Sequence, residues 1–161
     1  MSTPRSFTPA ERRAWAPLTA LLELLPRELD AQLLRDESLT HFDYVTLSAL
    51  ALADGRRLRM SALAAGTNAT LSRLSHAISR LETRGLVRRE AASDDARATD
   101  VILTADGRRK VIRATPAHVQ NVRTLVLDAL DAEQQRQLNE ITVAILRRLD
   151  PERRMLASRM G

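Results

Sequence analysis

Apolar residues at helical spacing dominate both ends of this chain, and they limit what it can become. Along residues 10–35, Trp15, Leu18, Leu22, Leu25, Leu29 and Leu33 recur at steps of three and four, which places them in one stripe on a helix. Leu21, Leu24 and Leu34 widen that stripe beyond what a single core contact needs. Pro26 inside the segment predicts a kink or break near Leu25. A second long helix is expected from about residue 105 to 130, with Val111, Thr115, Val119, Val122 and Val126 facing inward and a bend at Pro116. A third starts at Asp131, with Gln134 in the capping-box position, and carries Leu138, Ile141, Ile145 and Leu149. Pro151 stops it, and residues 152–161 read as a frayed basic tail. A chain of 161 residues does not easily hide stripes this wide. The economical solution pairs the N- and C-terminal helices with those of a second copy.

The middle of the chain is different. Thr40, with Asp43 three residues on, starts a helix from about His41 to Ala53, ended by Asp54-Gly55. Arg57 to Met60 alternates polar and apolar residues, the pattern of a very short strand. Ser61 is expected to cap a short helix through Ala65, closed by Gly66. Residues 67–70 make a turn ending in a cap residue, Thr70, and the next helix covers Leu71 to Arg84, with Leu71, Leu74, Ile78 and Leu81 inward. Gly85 is placed to end that helix in the left-handed conformation. Residues 86–90 and 100–103 read as two strands joined by a small polar loop, a β-hairpin. Thr104 then caps the following helix, with Asp106 in its positive first turn.

Charge follows the same division. Residues 56–89 hold eight arginines (56, 57, 59, 73, 80, 84, 88 and 89) against one acid, Glu82, so they carry +7 while the remainder carries −2. A concentrated basic block attracts polyanions, nucleic acid first and anionic membrane second; an Arg-rich solvated surface is the plain alternative. The chain has no cysteine, which excludes disulfides, Cys-ligated metal and thiol chemistry. His41, His76 and His118 are far apart in sequence, so no metal site and no cofactor are expected. No Gly-rich phosphate loop or nucleophile motif is present, and catalysis is not expected. No apolar run approaches the ~18 residues of a membrane span, and Met1 to Arg5 lacks an apolar signal core. The expected location is the cytoplasm, at the nucleoid, with no membrane partner.

A short helix, a tight turn and an amphipathic helix make a helix-turn-helix, and a hairpin directly after it makes it winged. The expected fold is therefore mainly α with a small β-hairpin wing (α+β): a winged helix-turn-helix lobe over 40–104, flanked by helical dimerisation segments at 10–39 and 105–150, with a basic tail at 151–161. The helix over 71–84 should turn Ser72, Arg73, Ser75, His76, Ser79 and Arg80 outward. Arginine can bond guanine O6 and N7 in a bidentate manner, and serine can donate to bases or phosphates. Ser72, Arg73 and His76, in the N-terminal half, suit bases; Asn68 and Thr70 suit phosphates. Arg88 and Arg89 alternate faces on the wing strand, which gives one of them to phosphate.

Two motifs carry a resemblance to a known family. Ser79-Arg80-Leu81-Glu82-Thr83-Arg84-Gly85-Leu86-Val87 is similar to an Arg-Leu-Glu-x-x-Gly-Leu-Val helix exit. Asp95-Ala96-Arg97, then Val101-Ile102-Leu103-Thr104 and Gly107, resembles an Asp-x-Arg…Val-x-Leu-Thr-x-x-Gly wing signature. Both belong to the MarR-type (multiple antibiotic resistance regulator) winged helix-turn-helix proteins, and the resemblance spans roughly residues 12–150. It implies a homodimer that binds pseudo-palindromic double-stranded DNA and usually represses transcription. It implies that Arg97 enters the minor groove and that Asp95 orients it, with Asp94 as a substitute for Asp95. A narrow, A·T-rich minor groove has enhanced negative potential and attracts arginine; a simple surface Asp–Arg pair is the alternative.

The resemblance also implies a small aromatic or phenolic effector bound between the dimer helices and the DNA-binding lobe. Trp15, His41, Phe42, Tyr44 and Arg13 are the candidates for lining that cleft, although Trp15 and Phe42 also read as core residues. His118 reads as structural or surface. The competing function is a winged-helix protein-interaction module without specific DNA binding.

Overall fold

The computed structural model describes residues 6–95 and 97–159. Ala96 of the wing motif, Met1 to Arg5, and the last two residues of the expected tail lie outside them. The helices are α1 (Pro9–Glu37), α2 (His41–Leu52), α3 (Met60–Gly66), α4 (Leu71–Thr83), α5 (Ala105–Leu125) and α6 (Ala132–Leu149). The strands are β1 (Arg57–Arg59), β2 (Val87–Ala91) and β3 (Thr99–Leu103). Among the described residues no helix is long and apolar enough to cross a membrane.

Local chemistry sets most of the helix starts. Thr40 and Asp43 form a reciprocal capping box at α2, as do Asp131 and Gln134 at α6. Each satisfies backbone donors that a helix N-terminus leaves without partners. Thr8 and Glu11 do the same for α1. α3 departs from expectation: it starts at Met60, its cap position is Arg59, and no side chain caps it. Its start is fixed instead by β1, which runs directly into it. α1 passes Pro17 and Pro26 unbroken. Each proline removes one backbone donor, and burial of Leu29 and Leu33 anchors the half that follows. α5 likewise continues through Pro116 but stops at Leu125, and a single 3-10 turn at Leu127–Ala129 leads to α6.

The wing is a three-stranded antiparallel sheet of order β1-β3-β2. The hairpin β2–β3 was legible in sequence; the pairing of β1 with β3, Leu58 opposite Val101, was not. The core lies beneath this sheet. Leu39, Leu47, Leu50, Leu63, Leu74, Ile78, Leu81, Val87 and Val101 are all but fully buried. Each such side chain contributes roughly 1.5–3 kcal/mol relative to exposure. Leu71, expected inward, is 56% exposed, and Ala77 takes the buried place. Leu71 opens the first turn of α4 and lies beyond the edge of the lobe's core.

Thr104 and Gly107 latch the lobe to α5. The Thr104 hydroxyl donates to the carbonyls of Gly85 (2.7 Å) and Leu86 (3.0 Å) and accepts the Gly107 N–H at 3.0 Å. A Cβ at position 107 would overlap the Leu86 carbonyl. The Leu-Thr-x-x-Gly motif thus has a packing reason: the first turn of α5 touches the chain leaving α4. Gly85, at φ +71°, makes that exit in the left-handed region glycine favours.

Candidate nucleic-acid interface

The exposed face of α4 carries Ser72, Arg73, His76, Ser79 and Arg80, with Ser75 half-buried behind them. Thr70 accepts the Arg73 backbone N–H at 3.2 Å and caps the helix. Asn68 sits in the preceding turn at φ +49°, exposed. The helix-turn-helix therefore brings Asn68, Thr70, Ser72, Arg73 and His76 to one end of α4.

Most of the basic block is internally tied. Arg57 pairs with Asp100 and Glu90, Arg59 with Asp100 and Asp94, Arg88 with Glu90. Arg80 reaches the buried Asp43 at 3.2 Å. That carboxylate also accepts the Thr40 N–H, so one acid serves both the α2 cap and the exposed face of α4. Arg84 donates to the Ser38 carbonyl at 2.9 Å. Of the five acids in these pairs and that of Arg89, only Glu82 lies inside the basic segment. The sequence segregates charge more sharply than the folded surface does.

Arg73 is different. Its guanidinium lies 4.3 Å from the Phe42 ring centroid. Among the described residues it forms no ion pair. A cation over a ring is held at little cost and keeps its donors outward. Phe42 is also partly buried against the lobe's core.

Arg89, one of the two phosphate candidates on β2, is committed inward. Its backbone N–H and Nε donate to the Glu82 carboxylate at 2.8 and 2.9 Å, and Nη2 donates to Ser79 Oγ at 2.8 Å. These contacts, the backbone N–H foremost, hold the Glu82 carboxyl below the ordinary carboxylate range. They bind the wing to α4. Arg88 faces outward beside Glu90.

At the wing tip, Asp95 Oδ1 accepts the backbone N–H of Arg97 at 2.9 Å, so it shapes the loop that carries the exposed arginine. Asp94 is occupied by Arg59.

The expected effector residues do not form one group. Trp15 is half exposed and lies against Phe7. It precedes Asp30 by half of α1, about 22 Å at 1.5 Å per residue. Asp30 accepts the His41 backbone N–H, which places it beside the rings. His41 and Tyr44 instead meet His118, at ring distances of 5.7 and 4.5 Å. The Tyr44 hydroxyl shares a hydrogen bond with Thr115 at 3.1 Å. Burial lowers the pKa of both histidines, and the His41 charge lowers that of His118 further. Sequence reasoning missed His118 because its partners lie far away in the chain.

Exposed cap, α4 face and adjoining sheet define a winged helix-turn-helix protein. No family model matches the chain, and no curated protein matches it. Solved structures do. Sco3205 from Streptomyces coelicolor, a MarR family transcriptional regulator solved in complex with DNA, is 42% identical, with a TM-score of 0.89 and 94% of each chain covered. AbsC, a MarR family transcriptional regulator from the same organism, is 36% identical, with a TM-score of 0.85 over 91% of this chain and 98% of its own. Sco5413, also a MarR family regulator from Streptomyces coelicolor, is 25% identical, with a TM-score of 0.70 over 88% and 94%. The chain belongs to the MarR family of transcriptional regulators.

Proposed function

We propose that this chain is a homodimeric, sequence-specific regulator that binds pseudo-palindromic duplex DNA at the nucleoid and represses transcription. The observation that carries the reading is the outward face of α4, where Ser72, Arg73 and His76 follow the Thr70 cap, together with an exposed Arg97 on the wing loop. In a two-fold dimer, two such helices enter successive major grooves about 34 Å apart. The segments 10–39 and 105–150 supply the dimer contact, and 40–104 the DNA-binding lobe. The similarity to Sco3205, itself solved with DNA, supports the assignment.

Asn68, Thr70, Ser75, Arg80 and Arg88 take phosphate or supporting roles, and Arg89 acts by holding the wing. A small aromatic effector would meet His41, Tyr44 and His118, which the fold brings together.

A duplex enriched from a random library supplies the test. Arg73→Ala should cost about 1–3 kcal/mol of binding and relax preference at one symmetric pair of positions. Arg97→Ala should weaken binding most where the flanks are A·T-rich. Wild-type affinity in both variants, for enriched and random DNA alike, would overturn the site.

A further inference from the structure

The expected frayed tail is folded over the described residues up to 159. Asp150 ends α6, and its carboxylate accepts the backbone N–H groups of Arg154 at 2.9 Å and Met155 at 3.0 Å. Those two donors hold its carboxyl below the usual range. The Asp150 carbonyl accepts the Arg153 N–H at 3.0 Å, and Arg153 turns the chain at φ +50°. Arg153 Nε then donates to the Ser158 carbonyl, and Arg159 Nε to the Arg153 carbonyl, both at 3.0 Å. The result is a closed hook with Leu156 at its tip.

Leu156 lands on the helix-turn-helix. Its N–H donates to the Gly66 carbonyl at 3.0 Å, and its side chain packs against the lobe's core. Gly66 ends α3, where a helix leaves carbonyls without partners. A Cβ on Gly66 would come within 3.1 Å of Leu156 Cγ, so glycine there makes room for the leucine. The turn to α4 begins at the next residue.

This contact closes a frame. α5 leaves the lobe at the Thr104 latch, and α6 returns to it at Asp150. α6 itself buries no residue. Without the hook, α6 would be linked to the lobe only by way of the turn after α5, which itself packs on α2. The hook adds a direct second tie at the far end of α6. A cleft of about 580 Å³ remains between hook and lobe, lined in part by Ala65, Asn68, Leu149 and Met155. The contact is therefore lightly packed, and Leu156 is the hook residue that packs against the lobe's core.

We propose that residues 150–159 are a strap that ties the C-terminal end of α6 to the helix-turn-helix and fixes the angle at which the dimer presents α4. The inference rests on the DNA-binding reading above. An ordered strap spares the complex the entropy of orienting each lobe and makes it selective for half-site spacing.

The experiment uses the full chain, Leu156→Ser, and Leu156→Met as the volume-conserving control. Amide exchange without DNA reads the tie directly. In Leu156→Ser, exchange at residues 63–70 should rise about tenfold, with Leu156→Met near wild type. The second readout is affinity for enriched duplexes whose half-site separation is changed by one base pair either way. Wild type should discriminate among spacings roughly tenfold, and Leu156→Ser should lose most of that discrimination while remaining dimeric by sedimentation. Unchanged exchange in Leu156→Ser overturns the strap, whatever the DNA result. Faster exchange with spacing discrimination kept overturns its positioning role. Wild type that binds no duplex specifically, with the exchange result intact, removes the DNA-binding reading and leaves the tie standing. A Leu156→Ser chain that fails to fold while Leu156→Met keeps wild-type exchange and spacing choice makes Leu156 a core residue and overturns the strap.

Discussion

The lobe between Leu39 and Thr104 and the arm formed by α6 have similar apolar content but opposite fates. In the lobe, leucines from α2, α3 and α4 converge beneath the sheet and vanish from solvent. In α6, Leu138, Ile141, Ile145 and Leu149 keep their stripe and face outward. Helical spacing alone cannot tell these cases apart, since it records which residues share a face and not what covers that face. The lobe covers itself because three helices and a sheet surround one point. The arm is a single helix with no buried residue, and the proposed dimer would cover its stripe with a second copy.

Truncation inside each region separates them most strongly. Leu47→Ala should cost about 2–5 kcal/mol in denaturant unfolding, from lost burial plus a cavity. Ile141→Ala should leave the unfolding of the lobe within about 0.5 kcal/mol, because the side chain is 58% exposed. Replacing Leu138 and Ile145 together with glutamate should convert the dimer to monomers in sedimentation. A dimer that survives both charges would show that α6 is not its seam.

Within the lobe, the tie between wing and α4 is weaker than the core. Glu82→Gln should cost about 1 kcal/mol, discounted because both partners are about a third exposed. Its effect on DNA should fall mainly on A·T-flanked duplexes, which report the wing. Equal loss on all flanks would assign Glu82 to general stability alone.

The smallest effect concerns the seam between α2 and α5. His41 and His118 are held below their ordinary 6.5 by burial. A depressed folded pKa means the neutral rings favour the fold. That contribution is present above about pH 6.5 and is lost as pH falls through the lower folded values. Acidification from about pH 7.5 to 5.5 should lower Tm by less than about 4 °C beyond the change seen in His118→Gln. Asp30 and Tyr44 face the same rings, and Asp30 opposes the shift at His41. An identical pH profile in the variant would remove His118 from the linkage.

Much of the fold is legible in the sequence. Thr40 with Asp43, Thr70, Thr104, and Asp131 with Gln134 each cap the helix that follows. Such caps act over three residues, and a chain displays three-residue relations openly. The outward face of α4 was also legible, apart from Leu71. The α3 cap, the β1–β3 pairing, the committed role of Arg89 and the ring cluster at His118 were not.

The sequence by itself determined where most helices begin, which residues share their faces and where positive charge concentrates. These follow from capping chemistry and from the fixed period of the helix. Tertiary structure alone decided which arginines remain outward, since their acids arrive from afar: Asp43 lies 37 positions from Arg80 and Asp100 lies 41 from Arg59. It also decided that a ten-residue tail closes back on Gly66. A hydrogen bond or a leucine contact across such separations depends on where the whole chain has gone, and no local pattern records that path.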